Sequence, residues 1–177
     1  MFLTVEVDVA STSSPSPRSA KNIHLWITSI KHHPAPTLVL MTALSEFTPD
    51  HPLADDDALL AFARFVHGDI RPRRRTLWFV LLDGERRPLP VIVPVDLVPD
   101  EPEVLAVNDL GQVWHDILQS EPGASVFVML ERPGTASASI TDHAWFVALR
   151  DTAARHGLAL AAFFLATAHD VARLDQP

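Results

Sequence analysis

Residues 125–130 read SVFVML, and this apolar stretch decides the fold of the 177-residue chain. A strand with one face in water alternates apolar and polar side chains, whereas a strand covered on both faces is apolar throughout. The stretch therefore predicts an interior strand with packed layers above and below it.

Helices are predicted on either side of this strand. Residues 103–120 place apolar side chains at helical spacing, and Pro122-Gly123 follows as a terminator. Downstream, Ser139 to Asp142 has the form of a capping box, and the helix that it opens ends at Gly157. The predicted apolar face of the first of these helices consists of Val104, Val107, Leu110, Trp114, Ile117 and Leu118.

Three more segments are predicted strands. Residues 76–82 (TLWFVLL) are followed by an Asp-Gly turn signal, and residues 89–95 (LPVIVPV) return after a loop of four or five residues. Two prolines in the second segment cannot donate to a ladder, so we expect that strand at an edge of the sheet. Residues 158–167 are expected to form the last strand, and a buried one.

A further helix is expected between His51 and Gly68. Pro52 suits a first helical turn, three aspartates follow it near the positive end of the helix, and Gly68 supplies a C-terminal cap. The resulting order is helix, strand, strand, helix, strand, helix, strand. Strands joined through helices require parallel pairs, and the hairpin adds an antiparallel pair, so we predict an α/β fold: a single domain with a mixed β-sheet flanked by helices.

The domain is assigned to residues 51–177, and residues 1–50 are expected to be a poorly defined, partly flexible N-terminal segment. Residues 11–22 (STSSPSPRSAKN) have almost no apolar side chains with which to offset their ordering entropy. Residues 2–9, 23–30 and 37–41 have the composition of short strands.

Composition excludes several classes of function. The chain has 14 Lys and Arg against 22 Asp and Glu, a formal charge of −8, which disfavours general binding to nucleic acid or anionic lipid. The absence of cysteine excludes disulfides, thiolate metal sites and cysteine nucleophiles. No apolar run reaches the length of a transmembrane helix, and Glu6 and Asp8 interrupt any secretory signal, so we expect a cytoplasmic protein.

No enzyme fingerprint is present. The chain lacks the Gly-x-Ser-x-Gly elbow, a P-loop and a dinucleotide-binding motif. Its nine histidines have neither His-x-x-x-His nor His-Glu-x-x-His spacing, and we interpret them as surface or loop residues. We expect no metal, no cofactor and no membrane partner.

Glu131 and Arg132 are the candidate small-molecule site. They end the predicted interior strand, where α/β sheets place ligands, and an arginine can hold a carboxylate or phosphate with two parallel hydrogen bonds. Alternatively, they are polar simply because the strand reaches solvent there. Ser139 and Asp142 are candidate ligand residues too, although the capping box alone explains them.

A basic run at Arg71, Arg73, Arg74 and Arg75 could contact phosphates or an acidic partner. Alternatively, it is a solvated connector before a buried strand. The tryptophans fall at core spacing and are interpreted as packing residues rather than a stacking platform for bases: Trp78, Trp114 and Trp145.

Residues 76–170 resemble the RadC-like branch of the JAB/MPN fold, which is related to the cytidine-deaminase-like fold. The resemblance lies in the hairpin LWFVLLDGERRPL, the helix and buried strand after it, and Ser139-Ile140-Thr141-Asp142 at the start of the next helix. The family's strand ends in a His-x-His-Pro metal signature, where this chain has Leu130-Glu131-Arg132-Pro133. The resemblance therefore implies a degenerate module without the metal ligands.

The predicted function is the non-catalytic binding of a protein or a small ligand. Two alternatives remain open: a hydrolase whose site, metal-dependent or not, is not recognisable in the sequence, and weak association with nucleic acid through the arginine run.

Overall fold

This computed structural model describes residues 51–69 and 71–175, and these ranges contain three helices and five strands. The predictions for residues 1–50 lie outside these ranges. In chain order the elements are α1 (Asp56–His67), β1 (Thr76–Leu82), β2 (Pro88–Asp96), α2 (Val104–Leu118), β3 (Ser125–Glu131), α3 (Ile140–Arg155), β4 (Ala159–Ala166) and β5 (Val171–Arg173). The α/β fold class is confirmed.

The helix ends follow local capping chemistry. The Asp55 side chain accepts a hydrogen bond from the amide of Ala58 and so starts α1, and the amide of Gly68 closes it on the carbonyl of Arg64. At the start of α3, the Ser139 hydroxyl accepts from the amide of Asp142 while the Asp142 carboxylate accepts from the amide of Ser139. The predicted capping box is confirmed.

The strands form one mixed sheet in the order β2-β1-β3-β4-β5. Strand β1 is antiparallel to both β2 and β3, β3 is parallel to β4, and β4 is antiparallel to β5. The residues between β1 and β2 form the predicted five-residue hairpin connection, in which Asp83 accepts from the amides of Glu85 and Arg87. Strand β2 lies at the sheet edge, as its prolines predict.

Strand β3 lies at the centre of the sheet and all its residues are buried. Val126, Val128 and Leu130 belong to the core cluster that includes residues of α2 and α3, whereas Phe127 and Met129 belong to the cluster that includes residues of α1. The side chains alternate between the faces, so this one strand joins both layers of the core. The predicted interior strand is confirmed.

Three details differ from the predictions. Helix α1 begins at Asp56 rather than near His51, because the Asp55 cap lies there and Pro52 precedes it. Val104 is 76% exposed, because the buried stripe of α2 begins one turn later at Val107. The sheet also continues beyond β4 into β5, which at three residues is too short to give a periodic signal.

Candidate functional site

The carboxyl ends of β2, β3 and β4 lie along one edge of the sheet. Strands β2 and β3 both run antiparallel to β1, and β3 is parallel to β4, so all three run in the same direction. Glu131 therefore lies at the carboxyl end of a strand that pairs in parallel, as predicted. Ligands of α/β proteins are commonly bound at this edge.

Glu131 is held between two side chains on the α1 face of the sheet. One carboxylate oxygen, Oε1, lies 2.8 Å from Nδ1 of His67, and the other, Oε2, accepts a 2.8 Å hydrogen bond from Nε1 of Trp78. The side chains of Glu131 and His67 are each only 11% exposed. Because neither side chain is free in water, the imidazole is held in one orientation at the end of α1.

A cavity of about 340 Å³ lies beside His67. One wall consists of the last turn of α1 and the segment after it, and the other consists of the loop between β4 and β5. This volume falls within the range of small-molecule pockets, which begins at roughly 300 Å³. The polar side chains in its lining include Arg64, His67, Asp69, Arg71, His169 and Asp170.

The β4–β5 wall of the cavity is braced by its own hydrogen bonds. Thr167 is buried, its amide donates to the carbonyl of Asp170, and its hydroxyl oxygen accepts from the amides of His169 and Asp170. One Asp170 carboxylate oxygen accepts from the amide of Val171. These bonds brace the turn that forms this wall of the cavity.

The opposite wall contains a backbone turn that needs glycine. Gly68 has φ +62° and ψ −159°, a region that is essentially restricted to glycine. This conformation ends α1 directly after His67 and directs the chain along the cavity towards Asp69 and Arg71.

Arg132 lies on the other face, where it binds the start of α3. Its Nε and Nη2 donate to the Asp142 carboxylate at 2.7–3.0 Å. Nη1 donates to the carbonyls of Pro133 and Thr135, and Nη2 also donates to that of Ser137. The guanidinium donors are all used within the chain, so a ligand could bind Arg132 only by displacing one of these acceptors.

Asp142 is completely buried and contacts a second arginine, since Nη1 of Arg75 donates to its Oδ1 at 3.1 Å. Burial alone would raise the pKa of Asp142, but hydrogen bonds from Arg132 and from Ser139 outweigh this effect and lower the pKa to about 2. Asp142 therefore carries a negative charge between two buried or nearly buried guanidinium groups, and Asp100 also pairs with Arg75.

The four predicted ligand residues do not converge on one pocket. Glu131 faces the α1 layer with His67, whereas Arg132, Ser139 and Asp142 form a hydrogen-bonded cluster at the start of α3. The capping interpretation accounts for Ser139 and Asp142, and Arg132 binds the capped carboxylate. Of the four, Glu131 is the residue that contacts the cavity lining, because its carboxylate is bonded to His67.

The four arginines of the predicted basic run have different surroundings in the structure. Arg74 pairs with Asp96, and Arg75 pairs with Asp100 and Asp142, while Arg71 lines the cavity. Arg73 is exposed, and no ion pair of Arg73 is formed within the described residues. Because two of these four charges are neutralised by carboxylates, they do not form a continuous basic surface for nucleic acid.

Sequence reasoning missed His67, Arg64 and the polar role of Trp78. His67 and Trp78 lie 64 and 53 residues from Glu131 in the sequence, and no short motif spans such distances. The only local signal was the position of His67 directly before the helix-ending Gly68.

No group of three or more His, Cys, Asp or Glu side chains within the described ranges could hold a metal ion. None of the helices described here is both long and apolar enough to cross a membrane. In comparisons with known proteins, no family model matches the chain, and no curated protein matches it.

Proposed function

We propose that this domain binds a small anion, of the phosphate or carboxylate class, in the cavity between the end of α1 and the β4–β5 loop. The observation that carries the proposal is the absence of ion pairs at Arg64 and Arg71 among the described residues. Both line the cavity, and neither forms an ion pair with any described residue. Three other arginines of these ranges, Arg73, Arg86 and Arg155, form no ion pair either, but they do not line the cavity. The remaining six form ion pairs: Arg74, Arg75, Arg87, Arg132, Arg150 and Arg173.

The position of the cavity supports the proposal. It lies at the carboxyl edge of the parallel pair β3–β4, and its walls are fixed by the Gly68 turn and the Thr167 hydrogen bonds. An arginine can bind an oxyanion through two parallel charge-assisted hydrogen bonds. The two guanidinium groups offer charged donors to an anion in a lining where the carboxylates of Asp69 and Asp170 balance their charge.

The experiment is a titration of the full-length protein with inorganic phosphate, followed by calorimetry and by amide chemical shifts. We expect Arg64→Gln and Arg71→Gln each to weaken phosphate binding about tenfold or more, the effect of one lost charge-assisted hydrogen bond. The matched control is Arg73→Gln, which removes the same charge from an exposed residue outside the cavity lining.

Unchanged affinity in Arg64→Gln and Arg71→Gln, or an equal loss in Arg73→Gln, would contradict the proposal. An equal loss in all three variants would indicate a diffuse effect of net charge. Shift changes at residues remote from Thr167 and His169 would place the anion elsewhere.

We also propose that the domain is a metal-free relative of the RadC-like JAB/MPN modules and acts by binding rather than by catalysis. The order of elements from β1 to β4 supports the kinship. Leu130 is packed in the α2–α3 core and Arg132 is cationic, so neither replaces an imidazole ligand. Stoichiometric zinc in the purified protein, lost on substitution of His67 or Glu131, would refute this proposal. A cytoplasmic location remains a prediction from the sequence.

A further inference from the structure

Trp78 and Glu131 determine which nitrogen of His67 carries the proton. An indole N–H can only donate, so it occupies Oε2 of the Glu131 carboxylate as an acceptor. The other oxygen, Oε1, lies 2.8 Å from Nδ1 of His67. A carboxylate accepts at both oxygens, so Nδ1 is the protonated nitrogen, and Nε2 of the neutral ring keeps its lone pair.

The second ring nitrogen of His67 belongs to a side chain that lines the cavity. Within the described part of the chain, no group forms a hydrogen bond with Nε2 of His67, although His67 lines the cavity. The carboxylates of Asp69 and Asp170 are acceptors in the same lining. The site therefore combines the donors of two arginines with several acceptors.

We propose that the ligand is an oxyanion that also carries a proton-donating hydroxyl group, with hydrogen phosphate as the simplest member of the class. This inference rests on the proposed anion site. The arginines bind the charged oxygens, and Nε2 of His67 accepts the hydrogen bond of the hydroxyl. Sulfate has the same shape and charge but no proton, so it would direct a bare oxygen at the lone pair of Nε2 and at two carboxylates.

Glu131 and Trp78 are thus positioning residues, and Glu131→Gln tests this role. The donor Trp78 forces the glutamine to place its oxygen towards the indole, which turns its NH₂ group towards Nδ1 of His67. Nδ1 must then accept, and the proton of the neutral ring moves to Nε2. The substitution inverts the tautomer while the shape of the side chain is kept.

The first measurement is the ¹⁵N spectrum of the His67 ring at about pH 8, which distinguishes a protonated ring nitrogen from one that keeps its lone pair. The wild-type protein should show protonated Nδ1, and Glu131→Gln should show protonated Nε2. In the double variant Glu131→Gln with Trp78→Phe, the glutamine can rotate and restore protonated Nδ1. A wild-type ring with protonated Nε2, or a tautomer unchanged by Glu131→Gln, would overturn the inference.

The second measurement compares phosphate with sulfate as ligands of the full-length protein at the same pH. We expect the wild-type protein to bind phosphate about tenfold or more tightly than sulfate, the effect of one hydrogen bond gained and one repulsion avoided. Glu131→Gln should reduce this preference, because Nε2 then donates to either anion while the carboxylates of Asp69 and Asp170 are unchanged. An equal affinity for both anions in the wild-type protein would refute the ligand class.

These outcomes separate the two proposals. If neither anion binds, the anion site itself is wrong, whatever tautomer the spectrum shows. If both bind equally and Arg64→Gln weakens both, the anion site stands and the hydroxyl requirement fails.

Discussion

At the scale of single residues, the buried carboxylate of Asp142 makes the stability of the protein depend on pH. Because its pKa is about 2 in the folded protein and near 4 in an unfolded chain, the unfolded state binds the proton first as the pH falls. The stabilisation is therefore complete above about pH 4 and is lost as the pH falls to about 2. We expect this loss to be roughly 2–3 kcal/mol, measured as the free energy of unfolding in urea at a series of pH values.

The control for this prediction is Asp142→Asn. It leaves Arg75 and Arg132 without their carboxylate, and we expect a destabilisation of about 3–5 kcal/mol at neutral pH. The difference between wild type and Asp142→Asn should shrink by roughly 2–3 kcal/mol on acidification. Ser139→Ala should cost about 1 kcal/mol and keep most of the acid-dependent loss, since it removes a cap but no charge. A constant difference between wild type and Asp142→Asn would show that Asp142 is not the group responsible.

The same residues show how far a sequence can identify a site. Ser139 and Asp142 are three residues apart, so their mutual capping is a local pattern and could be predicted. The position of the polar Glu131 at the end of a strand could also be predicted from the sequence. Its partners His67 and Trp78 could not, because the sheet and α1 bring them together from distant parts of the chain.

At the scale of elements, the contact between α2 and α3 depends on Gly111. A Cβ atom at this position would lie 2.3 Å from Cγ2 of Thr152 and 2.6 Å from Cδ2 of His156. Alanine favours an isolated helix by about 1 kcal/mol over glycine. Gly111→Ala should nevertheless destabilise the protein by about 1–3 kcal/mol, because the completely buried Thr152 would have to shift to admit the new Cβ atom. Chemical denaturation measures whether the substitution lowers or raises the free energy of unfolding.

The matched control adds Thr152→Ser, which removes the methyl group closest to the new Cβ. Serine keeps the hydroxyl that accepts from Arg155. The double variant should recover part of the stability lost in Gly111→Ala, whereas Thr152→Ser alone should be mildly destabilising. If Gly111→Ala is more stable than wild type, the two helices do not approach as closely as described.

Element prediction succeeded where the signal is local or periodic. The Gly68 cap of α1, the capping box of α3, the hairpin after β1 and the apolar β3 were all readable in short windows. The exposed Val104 was not, because helical spacing identifies a face but not the turn at which the neighbouring layer begins. The strand β5 owes its existence to pairing with β4 and has almost no signal of its own.

At the scale of the whole molecule, β3 joins two core layers, and we expect residues 51–175 to unfold as one cooperative unit. Phe127 is buried on the α1 side, where its ring lies 5.1 Å from that of Phe62 and 5.6 Å from that of Phe164. Phe127→Leu should lower the free energy of unfolding by about 1–2 kcal/mol. Native-state amide exchange should show the same loss in α1 and in α2, although α2 does not belong to that cluster.

The control Val104→Ser, at a residue 76% exposed, should change stability by less than about 0.5 kcal/mol. A loss of protection confined to α1 would mean that the two layers unfold independently and that the cavity beside His67 can open while the α2–α3 layer stays folded.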